Sequence, residues 1–135
     1  MQKSVAVRNA QNDVIESTIG VSAVLKLWSG AAPANCAAAN SGTQVASMAL
    51  PADYMSASAA AVKALLGTWQ DLMADAANAG GAMHWRIYAS DGTTCHLQGT
   101  VSASGGGGEI QVDNLNIAQG QRVDVTAFNI TASGA

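Results

Sequence analysis

Charge is scarce in this sequence. Lys and Arg contribute 6 residues and Asp and Glu 9, so charged residues make up 11% of the chain where about a quarter is usual for a soluble domain. The six cations, Lys3, Arg8, Lys26, Lys63, Arg86 and Arg122, stand singly, which leaves no basic run to grip a phosphate backbone. Direct nucleic-acid binding is therefore not expected. No stretch approaches the ~18 uninterrupted apolar residues of a membrane span, and the opening MQKSVAVRNAQND is polar where a signal peptide needs its apolar core. These absences point to a protein made in the cytoplasm, without a membrane partner. Cysteine is nearly absent too: Cys36 and Cys95 lie far apart, and in a reducing compartment they are expected as free buried thiols.

What is abundant is alanine, about a fifth of the chain, with Ser, Thr, Asn, Gln and Gly to supply the surface. A surface with so little charge has weak electrostatic protection against association, a state that suits a subunit whose faces are covered by neighbours. At 135 residues the chain fits one domain, residues 1–135, divided into an N-terminal helical arm over 1–20 and a β-rich body over 21–135.

Ser4 is a candidate N-cap, and Val7, Ala10, Val14, Ile15 and Ile19 recur at helical spacing before Gly20, which predicts a helix over about 5–19. Its polar side, Arg8, Gln11, Asn12 and Glu16, is expected to face away while the apolar side lies on the body or on a neighbour. Leu25 and Leu27 alternate with Lys26 and Trp28 as in a strand. The segment 30–43, GAAPANCAAANSGT, has no period and reads as a long loop. Together with Val7, Arg8, Gln11 and Val14, its residues Pro33, Ala34 and Asn35 form the candidate interface. Gln44 to Leu50 returns to strand alternation, and Ser58 to Leu66, continued by Trp69, Leu72 and Met73, has the propensity for a short central helix yet reads equally as a strand in a β-rich fold.

Met83, Trp85 and Ile87 alternate with His84, Arg86 and Tyr88, and Cys95 and Leu97 alternate with His96 and Gln98 beyond Asp91 and Gly92. This is a hairpin. A three-residue loop with left-handed Gly92 would pair Ile87 with Cys95 and Trp85 with Leu97, and would set His96 opposite Arg86. SASGGGG at 102–108 is a turn or loop, after which Val112, then Val123 and Val125, complete an antiparallel meander. The expected core is Leu25, Leu27, Trp85, Ile87, Leu97, Val112, Val123 and Val125. The fold class is mainly β, an antiparallel sandwich or meander with an N-terminal helix.

Reactive signatures are wanting. His84, Cys95 and His96 form the one cluster of metal-type ligands, yet Cys95 falls on the opposite hairpin face and no CxxC or HExxH accompanies it. Gly105–Gly108 lacks the Lys-Ser/Thr ending of a phosphate loop, and Asp71 and Asp75 at i, i+4 read as a hydrated helix face. Neither an enzyme nor a cofactor or metal site is expected.

The segments VRNAQNDVIES, LKLWSGAAPA and the run from Trp85 to Ala132 resemble a diffuse group of small virion proteins of tailed bacteriophages, with matches at Arg8, Asn9, Ala10, Gly30, Pro33, Arg86, Ser90, Asp91, Gly92, Gly99 and Gly120. The resemblance covers most of the chain except about 52–80. It implies a structural protein located in the virion and assembled in the host cytoplasm. The leading expectation is a capsid decoration or minor capsid protein, a homo-oligomer and preferably a trimer, that binds the major capsid protein. A tail or head-to-tail component is the alternative. A host- or glycan-binding module is the third reading.

Overall fold

The computed structural model describes residues 1–135. Helix α1 spans Val5–Ile19. It begins where Ser4 Oγ accepts the Val7 amide at 3.3 Å and ends at Gly20, whose φ of 85° disfavours any L side chain and whose N–H donates to the Glu16 carbonyl. Ten strands follow: β1 (Val24–Ser29), β2 (Gln44–Ala49), β3 (Val62–Ala64), β4 (Gln70–Asp71), β5 (Asn78–Ala79), β6 (Met83–Tyr88), β7 (Cys95–Ala103), β8 (Ile110–Val112), β9 (Asn116–Ile117) and β10 (Val123–Thr131). The protein is mainly β with one N-terminal helix.

The main sheet runs β2-β1-β6-β7-β8-β10-β3, with β4 also on β10, while β5 and β9 form a separate ribbon. It curls until its ends approach: the Asp75 amide donates to the Val45 carbonyl at 2.8 Å, and Asp71 Oδ2 accepts the Ser47 amide at 2.9 Å. Inside the curl lies a continuous cluster that includes Leu25, Leu27, Val45, Met48, Trp69, Trp85, Ile110 and Phe128, closed at one side by Ile15 and Ile19 of α1. Leu25, Leu27, Trp85, Ile87, Val112, Val123 and Val125 are buried, and Leu97 is half-buried. Strand β6 is buried along its whole length, so both of its faces are covered.

One open reading is decided and two expectations are corrected. The segment 58–73 takes its strand alternative and contains no helix. Ala60 and Ala61 both adopt left-handed φ, 51° and 65°, in a two-residue turn closed by reciprocal Ala59–Val62 backbone bonds, and β3 and β4 follow. Left-handed alanine costs about 1–2 kcal/mol per residue, so no local propensity could have announced this turn. Asp71 and Asp75 accordingly share no helix face.

The β6–β7 register also differs. Ile87 pairs with Leu97, Trp85 with Gly99 and Arg86 with Gln98, because a bulge at His96 shifts the pairing after Tyr88–Cys95. The loop is longer than three residues. The Ala89 amide reaches the Thr94 carbonyl, the Gly92 amide returns to the Ala89 carbonyl, and the Asp91 carboxylate caps the amides of Thr93 and Thr94 at 2.8 Å. Gly92 is left-handed, with φ 69°. The Thr94 hydroxyl first, and then the Thr94 and Thr93 amides, hold the Asp91 carboxyl down at a pKa of about 2.

Third, β7 and β8 are parallel, Val101 opposite Ile110, although only the glycine run separates them. Parallel neighbours ordinarily need a long crossover. Here the chain reverses twice inside Ser104–Glu109, and a Cβ on Gly108 would lie 2.7 Å from the Ser102 amide nitrogen and the Thr100 carbonyl oxygen. Glycine is what lets the backbone fold flat against β7.

Candidate functional site

Two constellations stand out. The first covers the outer face of β6, which carries His84 and Arg86. The loop 30–43 folds over that face, and the side chains beneath it bind its backbone. Arg86 donates through Nε to Gln98 Oε1 at 3.1 Å and through its terminal nitrogens to the carbonyls of Asn35 at 3.0 Å and Ala38 at 3.2 Å. Gln98 Nε2 donates to the Pro33 carbonyl at 2.7 Å. Arg86 is thus a buried cation whose donors are met by carbonyls, the arrangement a lone guanidinium needs to leave water. His96 does not face Arg86; Gln98 takes that place.

His84 is buried, with Nδ1 3.0 Å from the Gly30 carbonyl and Nε2 3.2 Å from Asn40 Oδ1. With the Asn40 amide oxygen and nitrogen exchanged, a neutral ring that donates from Nδ1 to Gly30 and accepts at Nε2 from the Asn40 NH₂ satisfies both contacts and gives a partner to the Asn40 nitrogen otherwise left without one. Burial lowers the His84 pKa, the Gly30 hydrogen bond opposes that shift, and the Arg86 charge adds to it. The folded protein therefore holds fewer protons here than the unfolded chain. Stability should be full above the unfolded histidine pKa of about 6.5 and fall as the pH drops below it, by at most about 1.4 kcal/mol per pH unit for this one group. Denaturation midpoints between pH 8 and 5 would show the slope, and His84→Gln should flatten it.

Cys36 and Cys95 are paired in a disulfide, Cα–Cα 5.3 Å, which ties the same loop to the start of β7. This overturns the expectation of free buried thiols. Both residues are only half-buried, and the fold brings them together because the loop crosses the hairpin's outer face. Of the candidate interface residues here, Pro33 is half-buried with its carbonyl engaged, whereas Ala34 and Asn35 are exposed. The Asn35 side chain turns back to accept the amides of Ala37 and Ala38.

The second constellation is the seat of α1, and its inward row mixes the two expected sides: Asn12 and Glu16 face the body together with Ile15 and Ile19, while Gln11 stays outside with Val7 and Val14. Asn9 Oδ1 accepts the Ala61 amide at 2.8 Å, and Asn12 Nδ2 donates to the Ala61 carbonyl at 2.9 Å, so two helix amides hold the strained alanine turn. Glu16 Oε1 accepts the amides of Tyr54 and Met55, and Asp13 accepts that of Ser58. Buried Lys63 reaches Asp13 at 3.1 Å and Glu16 at 3.3 Å. The Ser58 amide first, and the Lys63 ammonium second, lower the Asp13 pKa. Burial, with the Glu16 charge, pushes the Tyr54 phenol up to about 12.

Outward, the helix shows valine. Val7 is 49%, Val14 59% and Val21, just past the helix, 69% exposed, spaced seven residues apart. Gln11 is exposed beside them, while Arg8 is half-buried and reaches the Ala132 carbonyl. An open groove lined by Val14, Ile15, Thr18, Ile19, His96 and Leu97 continues the apolar surface onto β7. His84, His96 and Cys95 are not drawn together, and no group of three His, Cys, Asp or Glu is placed to hold a metal ion. No helix is long and apolar enough to cross a membrane. Comparison with protein-family models, with curated proteins and with solved structures finds no match.

Proposed function

We propose that this chain is a structural protein of a tailed-bacteriophage virion, a capsid decoration or minor capsid subunit that binds the major capsid protein and acts by assembly. The observation that carries this reading is the row of exposed valines along and just past α1. A helix that seats Asn12, Ile15, Glu16 and Ile19 on its own domain and turns Val7 and Val14 outward, with Val21 just beyond its end, leaves apolar surface for a neighbour to cover. The low charge of the chain and the resemblance in its N-terminal and C-terminal segments support the same reading.

Because α1 holds the Ala60–Ala61 turn, removing residues 1–12 would damage the body as well as any interface. Point substitution separates the two. Val7→Asp with Val14→Asp should leave circular dichroism unchanged and stability within about 0.5 kcal/mol, since both side chains are exposed. Occupancy in purified particles, read on quantitative gels, should fall at least about tenfold, the equivalent of about 1.4 kcal/mol. Occupancy equal to wild type would refute docking through the helix. Copy number then distinguishes a shell protein, present in lattice stoichiometry, from a connector or tail ring.

A further inference from the structure

Strand β8 is only three residues long, but its neighbours continue past its start. Beyond it β7 presents Leu97 and Gln98, and β10 presents Asn129, Ile130 and Thr131, across a cleft of about 230 Å³. The register decides which backbone groups face this gap. Thr100 donates its amide to Glu109 Oε2 at 2.9 Å, away from β6, so Gln98, two residues earlier, also turns its N–H and C=O away from β6. On the far side, Phe128 and Ala132 bond to Leu65 and Ala61 beside β3, which turns both backbone groups of Thr131 and the carbonyl of Asn129 into the cleft. None of these five groups has a partner in the chain. The floor is Trp85, 3% exposed, whose indole N–H is buried and also without a partner. Glu109 stands at the head of the cleft, exposed and in no ion pair.

We propose that this cleft is a strand-acceptor slot that takes one extended peptide segment of another protein. β8 holds β7 and β10 two strand spacings apart, about 9.6 Å, which is the width for one inserted strand. Unpaired edges facing each other call for a polypeptide backbone, because a single extended chain satisfies both at once. The segment would continue the line of β8, parallel to β7 and antiparallel to β10. Small side chains would point inward over Trp85, a hydroxyl among them accepting the indole N–H, and a cationic residue would sit at the end beside Glu109. Residues 3 and 132–134 of a second copy are disfavoured as donors because they are tied within their own chain: the Lys3 amide bonds to the Gly134 carbonyl and the Ala132 amide to the Ala61 carbonyl.

The test is an NMR titration of the whole protein with a capped peptide that alternates threonine and valine and ends in lysine. Saturable shifts are expected at the Gln98 and Thr131 amides and the Trp85 indole N–H. Thr131→Pro removes an N–H that the chain does not use, at the last residue of β10 where the fixed φ of proline is best tolerated, and should weaken binding at least tenfold. Glu109→Gln keeps the bond to Thr100 and should weaken it severalfold, with loss of its salt dependence. Absence of saturation at millimolar peptide, equal affinity in folded Thr131→Pro and Glu109→Gln, or the same shifts produced by raising protein concentration alone would each overturn the proposal. Because the readout is peptide binding rather than particle occupancy, its failure is distinct from failure of the helix to dock.

Discussion

Replacing Cys36 by Ser is expected to lower the unfolding free energy by about 4 kcal/mol. The disulfide joins residues 59 apart, and the loop-closure entropy it removes from the unfolded chain is of that size for a loop of such length. The folded state should change little, because Arg86, Gln98 and His84 hold the loop backbone independently. Cys95→Ser and the double substitution should therefore match Cys36→Ser, all three removing the same bond. Urea denaturation of the oxidised protein against the three variants and against the reduced wild type tests this. Thiol titration that finds both cysteines free in the purified protein, or a midpoint indifferent to reductant, would defeat it.

The disulfide also shows where the sequence fell silent. Helix α1, its Ser4 and Gly20 ends, β1 and the left-handed Gly92 were legible because each rests on a local rule: a cap, a period of 3.6 or 2, or a φ that glycine adopts freely. The proximity of Cys36 and Cys95 depends on a loop crossing a hairpin, which no spacing encodes. The orientation of α1 was ambiguous in the same way. Asn9, Asn12, Asp13 and Glu16 recur at helical spacing as regularly as the valines do, and which stripe turns inward is decided by Lys63 and the Ala61 backbone, some fifty residues on. A buried lysine among alanines was the one available signal. The parallel β7–β8 pair and the alanine turn were invisible because both rely on tertiary bonds to sustain geometry that local preference opposes.

Trp85→Ala is expected to cost about 3–5 kcal/mol, the range for emptying a buried aromatic site. The indole lies edge-on to Phe128, with centroids 5.5 Å apart, and Phe128 in turn packs on Trp69 at 5.0 Å, so the cavity would open in the middle of the aromatic cluster. Half-buried His96, at the bulge, should cost under about 1 kcal/mol when cut to alanine. Trp85→Phe is the sharper probe. It surrenders apolar area but also removes a buried N–H that has no partner, and the two opposing terms should leave a loss of about 1 kcal/mol. A double-mutant cycle then reads the register directly. A Cβ on Gly99 would lie 2.6 Å from Glu109 Oε2, the movable end of a flexible side chain, and 2.8 Å from the indole nitrogen, so Gly99→Ala should destabilise the wild type and less a Trp85→Leu background, with a coupling of about 0.5–3 kcal/mol. Were Trp85 opposite Leu97 instead, the two substitutions would add, because Gly99 would no longer sit over the indole ring.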